Sequence, residues 1–121
     1  MPFARATAAL VALAVVIGCG GAEPTAVVRD EHVEITLDEF LIAPQNLEAR
    51  PGRVTFDVVN RGRLRHSFHV WGTDSAPVEI ESLFPGDAVQ RSATLAPGEY
   101  RLVCTLSNHA ELGMTGRLVV R

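Results

Sequence analysis

Four side chains that bind transition metals occur at a regular spacing in this sequence. Cys104, His109 and Met114 form a Cys-x4-His-x4-Met pattern, and His66 stands upstream in Asn-x-Gly-x3-His-Ser-Phe. A single buried Cys or Met usually fills space in a core, and a single His on an apolar strand is usually a hydrogen-bonded core residue. The order and spacing of all four favour one metal site instead.

The donor set indicates a copper ion that changes oxidation state. A thiolate and two imidazoles in a plane, with a weak axial thioether, are what a blue-copper electron-transfer site requires. Cu(I) favours soft sulfur and Cu(II) favours nitrogen, so a rigid intermediate geometry lets the electron move with little rearrangement. Zinc prefers a fourth strong donor to a thioether. The predicted cofactor is therefore one Cu(I)/Cu(II) ion.

These motifs resemble the cupredoxins, the type 1 blue copper proteins, over residues 32–121. The gap between Cys and His is longer than in plastocyanins and matches rusticyanin-like and many small bacterial members. The resemblance implies that His66, Cys104 and His109 are the in-plane ligands and that Met114 is the axial ligand. Several members have Asn after the first His; here Ser67 takes that place, and its hydroxyl is expected to reach the backbone near Thr105.

The elements that must position these ligands are β-strands. From His32 onward, apolar and polar residues alternate with period two, and three Pro-Gly pairs separate the runs. Short strands at this spacing predict an all-β Greek-key sandwich or barrel. Tyr100, after the third Pro-Gly pair, resembles a tyrosine corner. A short helix is expected between Ala76 and Phe84.

The N-terminal segment resembles an export signal. Residues 1–18 contain one Arg and then about a dozen mostly apolar residues, too few to span a membrane. The run ends Val-Ile-Gly-Cys19, which resembles a bacterial lipobox, so we predict a signal peptide over 1–18, lipidation at Cys19 and a flexible tether over 19–31. The alternative is cleavage nearby that leaves Cys19 as a free thiol. Lipidation implies location in the cell envelope, in the periplasm or on the outer face of a membrane.

Composition narrows the function classes. The net charge of −3 argues against nucleic acid as a partner. Four His in 121 residues are too few for the copper cluster of a multicopper oxidase. We therefore expect a monomeric electron carrier that serves redox proteins, and not an enzyme. The alternatives are a copper chaperone or scavenger, which the low Met content disfavours, and a sandwich that has lost its metal.

Residues around the predicted site suggest where partners dock. The resemblance implies that His109 is the electron exit, and the neighbouring apolar residues are Leu106, Ala110 and Leu112. The loop that leads to His66 carries three arginines that could steer an acidic partner or could simply be solvated: Arg61, Arg63 and Arg65. Two further histidines, His32 and His69, are expected to be solvated, and Asn60 and Gly62 are expected to form a turn.

Overall fold

The computed structural model describes residues 24–121, which form ten β-strands. The strands are β1 Thr25–Val27, β2 His32–Asp38, β3 Leu41–Ala43, β4 Asn46–Ala49, β5 Gly52–Asn60, β6 His66–Trp71, β7 Val78–Leu83, β8 Ala88–Leu95, β9 Gly98–Val103 and β10 Thr115–Val120. Within this part of the chain, no helix is long and apolar enough to cross a membrane.

The strands form two sheets, as predicted for an all-β Greek-key sandwich. One has six strands in the order β1-β4-β10-β9-β6-β7, and the other has four in the order β3-β2-β5-β8. The rings of Phe56 on β5 and Phe68 on β6 pack in a tilted arrangement between the two sheets, with centroids 6.0 Å apart. Both side chains are fully buried, and burying each one contributes about 1.5–3 kcal/mol to the free energy of folding.

The tyrosine corner is present, and it fixes the turn before β9. The hydroxyl of Tyr100 donates to the carbonyl oxygen of Ala96 at 2.7 Å, and the residue is largely buried. Such a bond links the start of a strand to the backbone just upstream. β9 therefore leaves this turn in a defined direction and ends one residue before Cys104.

Two predictions about secondary structure differ from the structure. The helix predicted between Ala76 and Phe84 is wrong, because Val78–Leu83 pairs with β6, with a register shift between His66 and Phe68. The predicted tether over 19–31 overlaps β1, whose three residues pair in parallel with β4. This parallel pairing needs only three residues, too few for alternation to reveal it. The predicted signal peptide and Cys19 lie outside the described residues.

Candidate metal centre

His66, Cys104 and His109 meet at one end of the sandwich, as their spacing predicted. His66 begins β6 and Cys104 directly follows β9, which are antiparallel neighbours. His109 lies in the segment that connects Cys104 to β10. The candidate donor atoms of these residues lie within 4.8 Å of one another, and the three residues are buried.

The arrangement of donor atoms fits a single first-row metal ion. Nδ1 of His66 lies 3.2 Å from Nδ1 of His109, and Nδ1 of His109 lies 3.6 Å from Sγ of Cys104. An ion about 2.0–2.3 Å from each donor in a trigonal plane requires donor separations of roughly 3.5–3.8 Å. Two of the three separations are close to these values and the third pair of donor atoms lies within 4.8 Å, so the three donors fit one ion.

Burial keeps one of these imidazoles in the ligand form. It lowers the pKa of His66, because the charged imidazolium loses solvation, and the neighbouring Glu39 opposes that shift. A neutral imidazole has a lone pair available for a metal, which an imidazolium lacks.

Backbone hydrogen bonds hold the segment between Cys104 and Met114 in a tight loop. The N–H of Cys104 donates to the carbonyl of Met114 at 3.1 Å, and the N–H of Met114 donates to the carbonyl of His109 at 3.0 Å. Gly113 has φ +122°, and a Cβ there would lie 3.0 Å from the carbonyl oxygen of Phe40. Met114 is fully buried directly before β10, and its role as axial ligand stays a prediction.

Ser67 links β6 to the residues that follow β9, as its position after His66 suggested. Its hydroxyl accepts the backbone N–H of Thr105 at 2.8 Å, and its own N–H points to Sγ of Cys104 at 3.4 Å. The serine thus performs the linking role that the motif resemblance assigned to an asparagine.

Asn60 forms the predicted turn and also anchors it. Its Oδ1 accepts the N–H of Gly62 at 2.8 Å, and its Nδ2 donates to the carbonyls of Leu64 and Leu83 at 2.8 and 2.9 Å. The side chain is fully buried. It therefore connects the end of β5 and the end of β7 to the segment that leads into His66.

Two residues that the sequence did not point to also contact the centre. Oε1 of Glu39 lies 3.3 Å from Nε2 of His66, and the ring of Phe40 lies 5.0 Å from that of His109. Both residues lie in the short connection between β2 and β3. Glu39 is 27 positions away from His66 in the sequence. No local pattern could have identified them, because the contact arises from tertiary packing.

The two remaining histidines differ from each other. His32 is exposed, as predicted, but His69 is only 3% exposed, so its predicted solvation is wrong. β6 lies between β9 and β7, and the side chains of Trp71 and Thr105 cover His69 on the outer face of the sheet. Its Nδ1 has no hydrogen-bond partner among the described residues. It is not part of the His-Cys-His group.

Comparisons with known proteins identify the fold. No protein-family profile and no curated protein matches the sequence. Auracyanin from Roseiflexus castenholzii superposes with a TM-score of 0.68 at 20% identity, over 75% of this chain and 97% of that one. Rusticyanin from Thiobacillus ferrooxidans gives 0.66 at 18% identity, over 80% and 82%. A Cu-containing nitrite reductase from Thermus scotoductus gives 0.59 at 18% identity, over 80% of this chain and 28% of that one.

The chain has the cupredoxin fold, which auracyanin and rusticyanin share. Its buried His-Cys-His group, at the end of the sandwich where β6 and β9 meet, fits a type 1 copper site.

Proposed function

We propose that this protein is a type 1 copper protein that carries single electrons between redox partners outside the cytoplasm. The observation that carries this proposal is the buried group formed by Nδ1 of His66, Nδ1 of His109 and Sγ of Cys104. Copper bound there would alternate between Cu(II) and Cu(I). The similarity to rusticyanin, which is described as a copper protein, adds support.

The residues around the group resist rearrangement, which suits electron transfer. Backbone bonds close the loop from Cys104 to Met114, and Ser67 ties that loop to β6. Electron transfer is fastest when the donor atoms of the site move little as the metal changes its oxidation state. This rigidity and the complete burial of Cys104 favour a held metal over one that is passed on, as a chaperone or scavenger requires.

The surroundings also favour a carrier over an enzyme. Among residues 24–121, His66, Cys104 and His109 form the one cluster of three or more His, Cys, Asp or Glu side chains arranged to hold a metal. Copper held by these three residues and by Met114 would have no open position for a substrate. We therefore propose transfer of electrons without chemistry on a bound molecule.

An absorption spectrum of the copper-loaded full-length protein tests the proposed function. Cu(II) bound to a cysteine thiolate should give intense charge-transfer absorption in the visible range. A site of nitrogen and oxygen donors alone lacks this band. A colourless protein that contains stoichiometric Cu(II) would overturn the proposal.

The segment before His66 is proposed to steer an acidic partner to the copper end. Arg61, Arg63 and Arg65 are all exposed there, while His109 is 7% exposed and the nearby Leu112 is 51% exposed. Positive charge near the exit mainly raises the association rate with an anion. An exposed apolar side chain beside it can be covered by a partner during the encounter.

Kinetics with a charged oxidant measure this steering. We expect Arg61/Arg63/Arg65→Ala to slow oxidation of the Cu(I) protein by anionic hexacyanoferrate(III) at low salt, and added salt to reduce the difference between the variant and the wild type. The reason is that salt screens charges beyond about 8 Å at physiological ionic strength. Stopped-flow measurements at several ionic strengths supply the comparison.

Arg50→Ala/Arg53→Ala provides the control, because these arginines lie at the opposite end of β5, roughly 25–30 Å away. This variant should keep the salt dependence of the wild type. An identical salt response in the triple variant and the wild type would exclude the three arginines from steering.

Cys19 is proposed to carry a diacylglyceryl anchor. Two acyl chains give stable membrane binding, whereas one chain binds marginally. Cys19→Ala should therefore move the protein out of the membrane fraction or block its processing, while the visible band of the copper-loaded protein stays the same. Fractionation and intact mass spectrometry check both points. Wild-type protein that is entirely soluble and unlipidated would contradict the proposed anchor.

A further inference from the structure

The carboxylate of Glu39 occupies a specific position between the segment before β6 and the imidazole of His66. Its Oε1 accepts the backbone N–H groups of Arg63 and Leu64 at 2.7 and 2.6 Å. The same oxygen lies 3.3 Å from Nε2 of His66, on the side of the ring away from the donor cluster. The Glu39 side chain is 23% exposed, so solvent screens this contact only in part.

Strand pairing places Glu39 there. β2 and β5 run in parallel, with Leu37 opposite Asn60, and the N–H of Arg61 donates to the carbonyl of Leu37 at 2.9 Å. The chain that leaves β2 therefore lies beside the segment that follows β5. A Cβ at Gly62 would lie 2.5 Å from Oε1 of Glu39, so the glycine leaves the space that the carboxylate fills.

We propose that Glu39 is a positioning residue for the metal centre. Its carboxylate accepts the Nε2–H of His66, which leaves Nδ1 of His66 free to bind copper. Its negative charge stabilises Cu(II) relative to Cu(I). This inference rests on the proposed function. A carboxylate on the second nitrogen of a metal-binding histidine fixes the tautomer and the ring orientation and raises the basicity of the ligand.

The charge of Glu39 favours the oxidised state. Cu(II) with one thiolate has a formal charge of +1, and Cu(I) with one thiolate is neutral, so a nearby anion stabilises the first more than the second. Its Oε1 accepts the backbone N–H groups of Leu64 and Arg63, and such hydrogen bonds favour the ionised carboxylate.

Glu39→Gln tests the role of the charge with almost no change in size. Loss of such a partner typically weakens metal binding about 10–100-fold. We expect the loss for Cu(II) to exceed the loss for Cu(I), so the reduction potential should rise. Each tenfold difference between the two losses corresponds to about 59 mV. Competition with chelators of each oxidation state and direct voltammetry measure the two quantities independently.

Glu111→Gln is the matched control, because it removes an equal charge from an exposed position between His109 and Met114. A positioning role predicts a clearly larger rise in potential for Glu39→Gln than for this control. A purely structural role in the segment before His66 predicts equal losses for Cu(I) and Cu(II) and an unchanged potential. Equal potentials in Glu39→Gln and wild type would overturn the inference.

Nuclear magnetic resonance of the wild type provides a test that needs no variant. In the metal-free and Cu(I)-loaded full-length protein, the proton of His66 should reside on Nε2 and exchange slowly with solvent. A proton on Nδ1 in the metal-free protein, or an Nε2 proton that exchanges freely, would overturn the inference. If the proposed function is wrong, the result is different, namely a colourless Cu(II) protein. The position of the His66 proton can still be measured in the metal-free protein in that case.

Discussion

Cys104→Ser is expected to abolish the intense visible absorption of the copper-loaded protein. The band requires charge transfer from a thiolate, and a serine hydroxyl is neither as soft as a thiol nor as easily deprotonated. Cys104 is fully buried at the end of β9, and its Sγ lies near Nδ1 of His109 and the N–H of Ser67. Serine is close in size, so the folded sandwich should persist. Absorption and circular dichroism spectra of matched samples measure both expectations.

Met114→Leu is the companion variant, because it changes a predicted ligand of a different kind. A thioether donates weakly to Cu(II), so its removal should leave the strong band in place and raise the reduction potential. Leu and Met have similar volumes, so this buried position should tolerate the change at a cost below about 1.5 kcal/mol. If Met114→Leu lost copper as completely as Cys104→Ser, the prediction that Met114 is a much weaker ligand than Cys104 would be wrong.

Asn60→Ala is expected to cause a large loss of stability for a polar substitution, about 3 kcal/mol. The change removes three hydrogen bonds, to the N–H of Gly62 and to the carbonyls of Leu64 and Leu83. A buried polar group left without a partner costs about 1–3 kcal/mol, and the carbonyl of Leu83 is in a buried bond. A loss of this size corresponds to a decrease in Tm of roughly 10–20 °C for a domain of this length.

Denaturant unfolding of the metal-free protein measures this loss without a contribution from copper binding. Gln90→Ala is the control, because the Gln90 side chain donates one exposed hydrogen bond to Asp57. Changes at such positions usually alter the free energy of unfolding by less than about 0.5 kcal/mol. If the two variants were equally stable, the three bonds of Asn60 would not contribute as the structure indicates.

Local pattern predicted the fold class, and the motifs with their family resemblance predicted the members of the His-Cys-His group. Alternation with period two reports which face of a strand is buried, and it correctly indicated the main strands of both sheets. The Cys-x4-His-x4-Met spacing confines its three side chains to one short loop, whose backbone bonds bring Met114 back to Cys104 and His109. Local pattern failed for β7, where a register shift against β6 interrupts the alternation.

Only the tertiary structure decided what surrounds the group. His66 meets Cys104 because β6 and β9 pair in antiparallel register, with His69 opposite Val103. The strands β9 and β7 flank β6 on both sides, and His69 on β6 is buried there. Alternation alone had placed His69 in solvent. Glu39 reaches His66 because β2 and β5 pair in parallel. A sequence records neighbours along one strand, whereas pairing between strands depends on the packing of the whole sandwich. For that reason the motif identified the members of the group, and only the structure showed the side chains around them.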